Sequence, residues 1–313
     1  MFWNPIAFGG KASGAGASKI GPRGLAPSAN GASAKKPAKL LPLVVALHSW
    51  NGDYRQRSMH KIEAACIEKG WAYLHPNFRG PNTNPAACGS DLAIADVLDA
   101  VAYARRNCPI DGNRIYLVGS SGGGHMALLL AGKHPELWAG VSAWASITDL
   151  ALWHGQRKGD KYAKDLEAIC GGAPRENKLI DMQYMNRSPI TWLENAKGLA
   201  IDINAGINDG HQGSVPITHS LFAYNKLVPK EAQIDAALIA NLAVLRNVPS
   251  AEQFVGQDFS YGAKVPMFRR EHGNARVTIF NGGHEMIETA ALAWLEKQRR
   301  QELKLPEPVE APE

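Results

Sequence analysis

The residues of this sequence best able to do chemistry lie at Gly119-Ser120-Ser121-Gly122-Gly123. The frame G-x-S-x-G centres on Ser121. Ser120 does not fit it, because Val118 would then stand where glycine is needed. Arg114 to Val118 reads as a strand, and an Ala/Leu-rich helix follows the glycines. In such a strand-turn-helix the glycines permit crowding of the backbone, and the serine sits exposed on a strained turn. The helix N-terminus behind it favours developing negative charge. A phosphate loop is not indicated, since neither a Walker lysine nor a G-x-G-x-x-G spacing is present. The chemistry expected of Ser121 is nucleophilic attack, provided that a base accepts its proton.

Where a sheet presents its nucleophile this way, the partners follow in the order Ser, then Asp or Glu, then His. Of the ten histidines, His211, His219, His272 and His284 come late enough. His284 follows the last strand through Asn281-Gly-Gly and precedes the C-terminal helix, so it is the expected base. The acid is expected just past the preceding strand. Asp209 stands there in a Gly-rich loop, whereas Asp202 lies inside the strand. Asp235 and Asp258 are substitutes for it. A carboxylate at Asp209 would fix the imidazole tautomer and stabilise the imidazolium as it forms. Two N–H donors are needed for the oxyanion. One is expected from Gly122, and the other from the loop His48-Ser49-Trp50-Asn51-Gly52-Asp53, with Trp50 chosen and Ser49 the runner-up. His48 is expected to order this loop, and His125 to lie behind the nucleophile.

These residues need a scaffold, and short apolar runs supply it. Strands are expected at Leu41 to Leu47, Trp71 to His75, Arg114 to Val118, Gly140 to Trp144, Leu199 to Ala205 and Arg276 to Phe280. Near-continuous apolar runs are what a parallel sheet covered on both faces requires. Helical spacing is found at Asp91 to Arg106, Ser121 to Lys133 and Glu285 to Arg300. The alternation predicts an α/β fold with a mostly parallel central sheet flanked by helices. Long insertions after the sixth and seventh strands, Ile147 to Lys197 and Gln212 to Asn274, are expected to shape the substrate pocket. The organisation read from this is a flexible arm over residues 1–39, a catalytic domain over 40–304 and a disordered tail over 305–313.

The motifs, taken in order, resemble the catalytic domain of the prolyl-oligopeptidase-type (S9-type) α/β-hydrolases and related bacterial carbohydrate esterases. They are L-H-x-x-x-G-D at Leu47 to Asp53, N-F-R-G at Asn77 to Gly80 and D-x-x-R-I-Y-L-x-G-x-S-x-G-G at Asp111 to Gly124. Gly213-Ser214-Val215-Pro216 and G-G-H at Gly282 to His284 complete the set. The likeness covers roughly residues 41 to 300 and is specific for the fold more than for the substrate. Two departures matter. Only about 40 residues precede the domain, so the N-terminal propeller of the peptidases is absent, which the resemblance takes to favour esters over small peptides. The acid loop is also longer than usual, with Gly210 to Gly213 ahead of Ser214.

The expected activity is carboxylic ester hydrolysis through an acyl-enzyme, on acetyl or feruloyl esters of carbohydrates, with no metal or organic cofactor. The alternative is a serine peptidase using the same machinery, and a non-catalytic protein on this scaffold is the rival from another class. Trp50, Trp153, His154 and Trp192 are placed at the pocket border, where a tryptophan can stack on a sugar or aromatic acyl group. Ser49 and Arg79 are further substrate-binding candidates, Arg79 for a carboxylate.

The net charge of +5 is partly carried by the N-terminal stretch, and no dense basic patch with interleaved aromatics exists. Nucleic acid is therefore not an expected partner. No run of 18 apolar residues is present, so no membrane span is expected. No signal peptide is read at the N-terminus, though a chain from which one had been removed would look the same. The four cysteines make two disulfides or none, and the compartment and oligomeric state stay open.

Overall fold

Period-2 alternation within the strands explains how one sheet comes to be covered on both faces. In β1 (Leu41–Leu47), Leu43, Val45 and Leu47 join the core on one side, while Val44 and Ala46 join that on the other. Ile115 and Leu117 divide from Tyr116 and Val118 in the same way along β3 (Ile110–Ser120). Successive side chains of a strand point to opposite faces, so each strand serves both cores. The computed structural model describes residues 39–300, and the arm over 1–39 and the tail over 305–313 fall outside these, Lys39 apart. The compact unit begins at Leu40.

The remaining strands are β2 (Ala72–Leu74), β4 (Gly140–Trp144), β5 (Ile201–Gly206), β6 (Pro266–His272) and β7 (Ala275–Phe280). They form one seven-stranded sheet in the order β2-β1-β3-β4-β5-β7-β6. Every pairing is parallel except β6 with β7. The first face is covered by α2 (Asp91–Asn107), α3 (Gly122–Lys133) and α7 (Thr218–Leu227), and the second by α1 (His60–Lys69) and α9 (Glu288–Leu295). The helix α2 starts where its sequence says it should: Ser90 is the N-cap, its side chain accepting from Ala93 N at 3.1 Å.

The first insertion, expected after the sixth strand, follows β4 instead, since only four strands precede it, and contains α4 (Leu150–Gln156), α5 (Lys161–Cys170) and α6 (Lys178–Arg187). Asp149, Asp160 and Asn177 cap these three helices in turn. Their apolar faces form a third core with Trp50 and Val215, so the insertion rests on the loops that leave β1 and β5. The second insertion, expected after the seventh strand, follows β5, carrying α7 and α8 (Ala236–Ala243) and ending in β6.

Three elements differ from the sequence reading. The strand β6 lies inside the stretch read as insertion, and it is joined to β7 through the two residues Gly273 and Asn274, with φ +57° at Gly273. The last helix is shorter than expected, because Glu285 is drawn into the preceding turn by Gly283 N and Lys264. The helix α1 stands outside the helical spacing found in the sequence. The four cysteines are free thiols. Among the described residues no helix is long and apolar enough to cross a membrane, and no group of three or more potential ligands could hold a metal.

Candidate active site

Ser121 sits between β3 and α3 with φ 59° and ψ −121°. That left-handed backbone is rare for a residue with a side chain and costs on the order of 1–3 kcal/mol, a strain met chiefly at functional sites. The surroundings enforce it. Ser121 N donates to Trp144 O at 2.8 Å, and His125 N to Ser121 O at 2.9 Å. The glycines behind the serine are required by space. A Cβ at Gly123 would strike Leu47 O, and one at Gly122 would strike Trp50 N and lie 2.7 Å from Trp50 Cα. The turn therefore packs directly on the loop that follows β1, with the peptide of Gly122 beside that of Trp50. The Trp50 N–H makes no hydrogen bond to any described residue, and the first N–H of a helix has no partner within it. Two unspent donors thus lie close together beside Ser121.

Asp209 is buried in the loop after β5, and the side chain of His284, after β7, is one-quarter exposed. His284 Nδ1 and Asp209 Oδ2 are 2.8 Å apart. An ionised carboxylate only accepts, so Nδ1 carries the proton and Nε2 presents its lone pair. The other carboxylate oxygen, Oδ1, accepts from Gly210 N at 2.9 Å and Val215 N at 3.2 Å. The two loops are stitched together by Ile207 N to Phe280 O (2.9 Å) and Asn208 N to Gly282 O (3.0 Å). This places an imidazole, held by a buried carboxylate, at the same sheet edge as the strained serine. Among the described residues Ser121 Oγ makes no hydrogen bond, and Nε2 of His284 instead has Ser214 Oγ at 3.3 Å. Sequence reasoning missed Ser214, although it directly follows the extra segment of the acid loop.

The other carboxylates weighed for the acid are engaged elsewhere. Asp235 caps α8, and Asp258 binds Arg269 at 2.8 Å. Asp202, inside β5, binds Arg276 at 2.7 Å beneath the sheet edge. His48 is buried with its ring stacked 3.7 Å from Phe78, and burial pushes its pKa down to about 4. His125 is likewise pushed down to about 4 by burial, with Nε2 donating to Arg187 O at 2.8 Å.

The substrate-binding candidates fare differently. Trp153 is 1% exposed and its Nε1 donates to Ser214 O at 2.9 Å, so it has no free face for stacking. Trp50 is 2% exposed, its ring 4.9 Å from Trp153 and its Nε1 bound to Asp165 at 3.0 Å. Trp192 lies against Gly132, about 15 Å along α3 from Gly122 at 1.5 Å per residue. Arg79 is paired with Asp96 at 2.7 Å on α2, and His154 with Glu167 at 2.8 Å. Burial explains the first two and position the third: sequence shows that a tryptophan falls in a loop, but not which way it turns. Ser49 adjoins the Trp50 amide, its own N–H donating to Gln56 at 2.7 Å.

A family model described as BD-FAE matches residues 32–227, well over half of the chain. The range includes Ser121 and Asp209 and stops before His284. NocK of Nocardia uniformis subsp. tsuyamanensis, a protein carrying the name of an esterase, is 33% identical over 115 residues, which are 33% of this chain and 32% of NocK. The match thus spans about a third of that relative. Among solved structures, the Pyrococcus horikoshii acylaminoacyl peptidase superposes with TM-score 0.49 at 18% identity, over 61% of this chain and 31% of its own. FphF of Staphylococcus aureus, described as a fluorophosphonate-binding serine hydrolase, gives TM-score 0.44 at 16% identity, over 56% and 68%. At these values neither structure carries an argument about activity.

Proposed function

This chain belongs to the BD-FAE family of α/β-hydrolase esterases, and from that premise we propose that it hydrolyses carboxylic esters through an acyl-enzyme on Ser121. The observation that carries the reading is the strained Ser121, with unspent N–H groups of Gly122 and Trp50 beside it and the Asp209-bound His284 at the same edge.

Ser121 Oγ attacks the ester carbonyl as His284 Nε2 accepts its proton. The oxyanion so formed is held by the Gly122 and Trp50 N–H groups, and the positive end of α3 adds to this. Asp209 keeps the proton on Nδ1 and stabilises the imidazolium. Collapse of the intermediate breaks the ester C–O bond, and His284 gives its proton to the leaving alcohol. Water then attacks the acyl-enzyme, its proton passing to His284 and on to Ser121 Oγ as the acid leaves. Each step balances with the residues named and one water.

The substrate proposed is an acetyl or feruloyl ester on a carbohydrate. It rests on the resemblance to carbohydrate esterases, since the buried Trp153 and the remote Trp192 add nothing to it. The test is turnover of acetylated and feruloylated xylo-oligosaccharides beside aminoacyl p-nitroanilides. Release of acetate or ferulate without release of nitroaniline is expected. Turnover of the anilides alone would replace the reading with that of a serine peptidase.

A further inference from the structure

The acid loop brings a second hydroxyl to the base. The wrap begins at Asp209, whose Oδ1 takes the N–H groups of Gly210 and Val215. Gly213 lies at its tightest point, where a Cβ would strike Asp209 Oδ1 and come within 2.7 Å of His284 Cβ. The next residue is Ser214, with Oγ 3.3 Å from His284 Nε2. Since Nδ1 holds its proton against Asp209, Nε2 is the acceptor and the Ser214 hydroxyl the donor. The main chain of Ser214 is fixed independently: its carbonyl accepts from Trp153 Nε1 at 2.9 Å. Trp153 belongs to α4 in the first insertion and is packed on Trp50 and Tyr162. A continuous path therefore runs from the insertion through Trp153 and Ser214 to the atom of the base that moves the proton.

We propose that Ser214 is a positioning residue, whose hydroxyl holds Nε2 of His284 for proton transfer and is itself held in place by Trp153. This rests on the reading of His284 as the base. The imidazole is then gripped at both nitrogens, by Asp209 for its tautomer and by Ser214 for its tilt. When Ser121 attacks and its proton reaches Nε2, the Ser214 hydroxyl turns its oxygen lone pair toward the new N–H, so its hold on the ring persists into the transition state, where it counts toward kcat. The longer acid loop is what makes this possible, because Ser214 reaches the base only after the wrap around Asp209.

The experiment compares p-nitrophenyl acetate turnover, and phosphonylation of Ser121 by a fluorophosphonate, in wild type, Ser214→Ala, Ser214→Thr, Trp153→Phe and the double variant Ser214→Ala/Trp153→Phe. Loss of one hydrogen bond predicts a fall of about tenfold in kcat for Ser214→Ala, with KM within about twofold and phosphonylation slowed to match. Ser214→Thr, which keeps the hydroxyl, restores most of the rate. Trp153→Phe keeps the ring packing but removes the N–H; it slows kcat less, and adds nothing once Ser214 is alanine. A wild-type rate in Ser214→Ala, no rescue by threonine, or full additivity in the double variant would overturn the proposal. Should alanine prevent folding, Trp153→Phe against wild type carries the test, and an unchanged kcat there counts against it. If wild type is phosphonylated at Ser121 but turns over no ester, the ester reading falls and Ser214 is judged on phosphonylation rates alone.

Discussion

At the scale of residues, the arrangement is a set of constraints that leave each reacting atom one place to be. Asp209 is the test case, because it holds the imidazole through one hydrogen bond and its own loop through two. Asp209→Asn keeps the size of the side chain but offers Nδ1 a carboxamide, whose NH2 favours the wrong tautomer. A fall of roughly 10,000-fold in kcat is expected, with the thermal unfolding midpoint little changed. A loss of under tenfold, measured with p-nitrophenyl acetate, would remove Asp209 from the mechanism. Ser121, Asp209 and His284 could be picked out from the sequence because each is announced locally: a glycine-framed turn after a strand, a loop after a strand, a G-G-H before a helix. The tryptophans were not legible in that way. Whether Trp153 faces solvent or Ser214 is decided by how the first insertion packs, and no neighbour in sequence records that. Ser214 was quoted within a motif, yet its reach to His284 depends on the curl of a loop about a buried carboxylate.

At the scale of elements, the insertion is fastened by unusual means. Arg187, at the end of α6, is 7% exposed and has no acidic partner among its hydrogen bonds. Its guanidinium donates to Ala87 O and Pro85 O at 2.8 and 2.9 Å, while its own carbonyl accepts from His125 on α3. Removing it leaves the buried Cys88 O without a donor among the described residues and Ala87 O with the Ser90 N–H alone, at 3.2 Å. Arg187→Met is therefore expected to lower stability by about 2–4 kcal/mol, read from the denaturant midpoint at unchanged slope. A loss under about 0.5 kcal/mol would show that this clamp is dispensable. The sheet was legible because its central strands are apolar runs. The edge strand β6 was not, because only part of it is buried and its end carries Arg270, Glu271 and His272, of which the two charges protect an edge, and the run reads as loop. The Gly273-Asn274 pair between two strand-like runs was the available signal for the hairpin.

At the scale of the whole molecule, three histidines are buried in their neutral form. Burial pushes His48 and His125 down to about 4 and His219 to about 3. Their ordinary value in the unfolded chain is about 6.5. The unfolded state therefore binds more protons between those limits, so stability rises with pH across them. The contribution is fully present above about pH 6.5 and is lost as pH falls through 6 and 5 toward 4. Thermal unfolding from pH 8 to pH 4 should show a plateau and then a steady decline beginning near pH 6.5. A midpoint constant down to pH 4.5 would contradict the burial of these rings. None of the three is a candidate for proton transfer, the role proposed for His284.

The measurement that tests the account most directly is hydrolysis of p-nitrophenyl acetate by wild type and Ser121→Ala, with the intact mass recorded after rapid acid quenching. The account predicts turnover by wild type, a mass increase of one acetyl group carried on Ser121, and a fall of at least about 1,000-fold in kcat for the variant. Equal turnover by the two proteins, or acetylation that persists in Ser121→Ala, would contradict it.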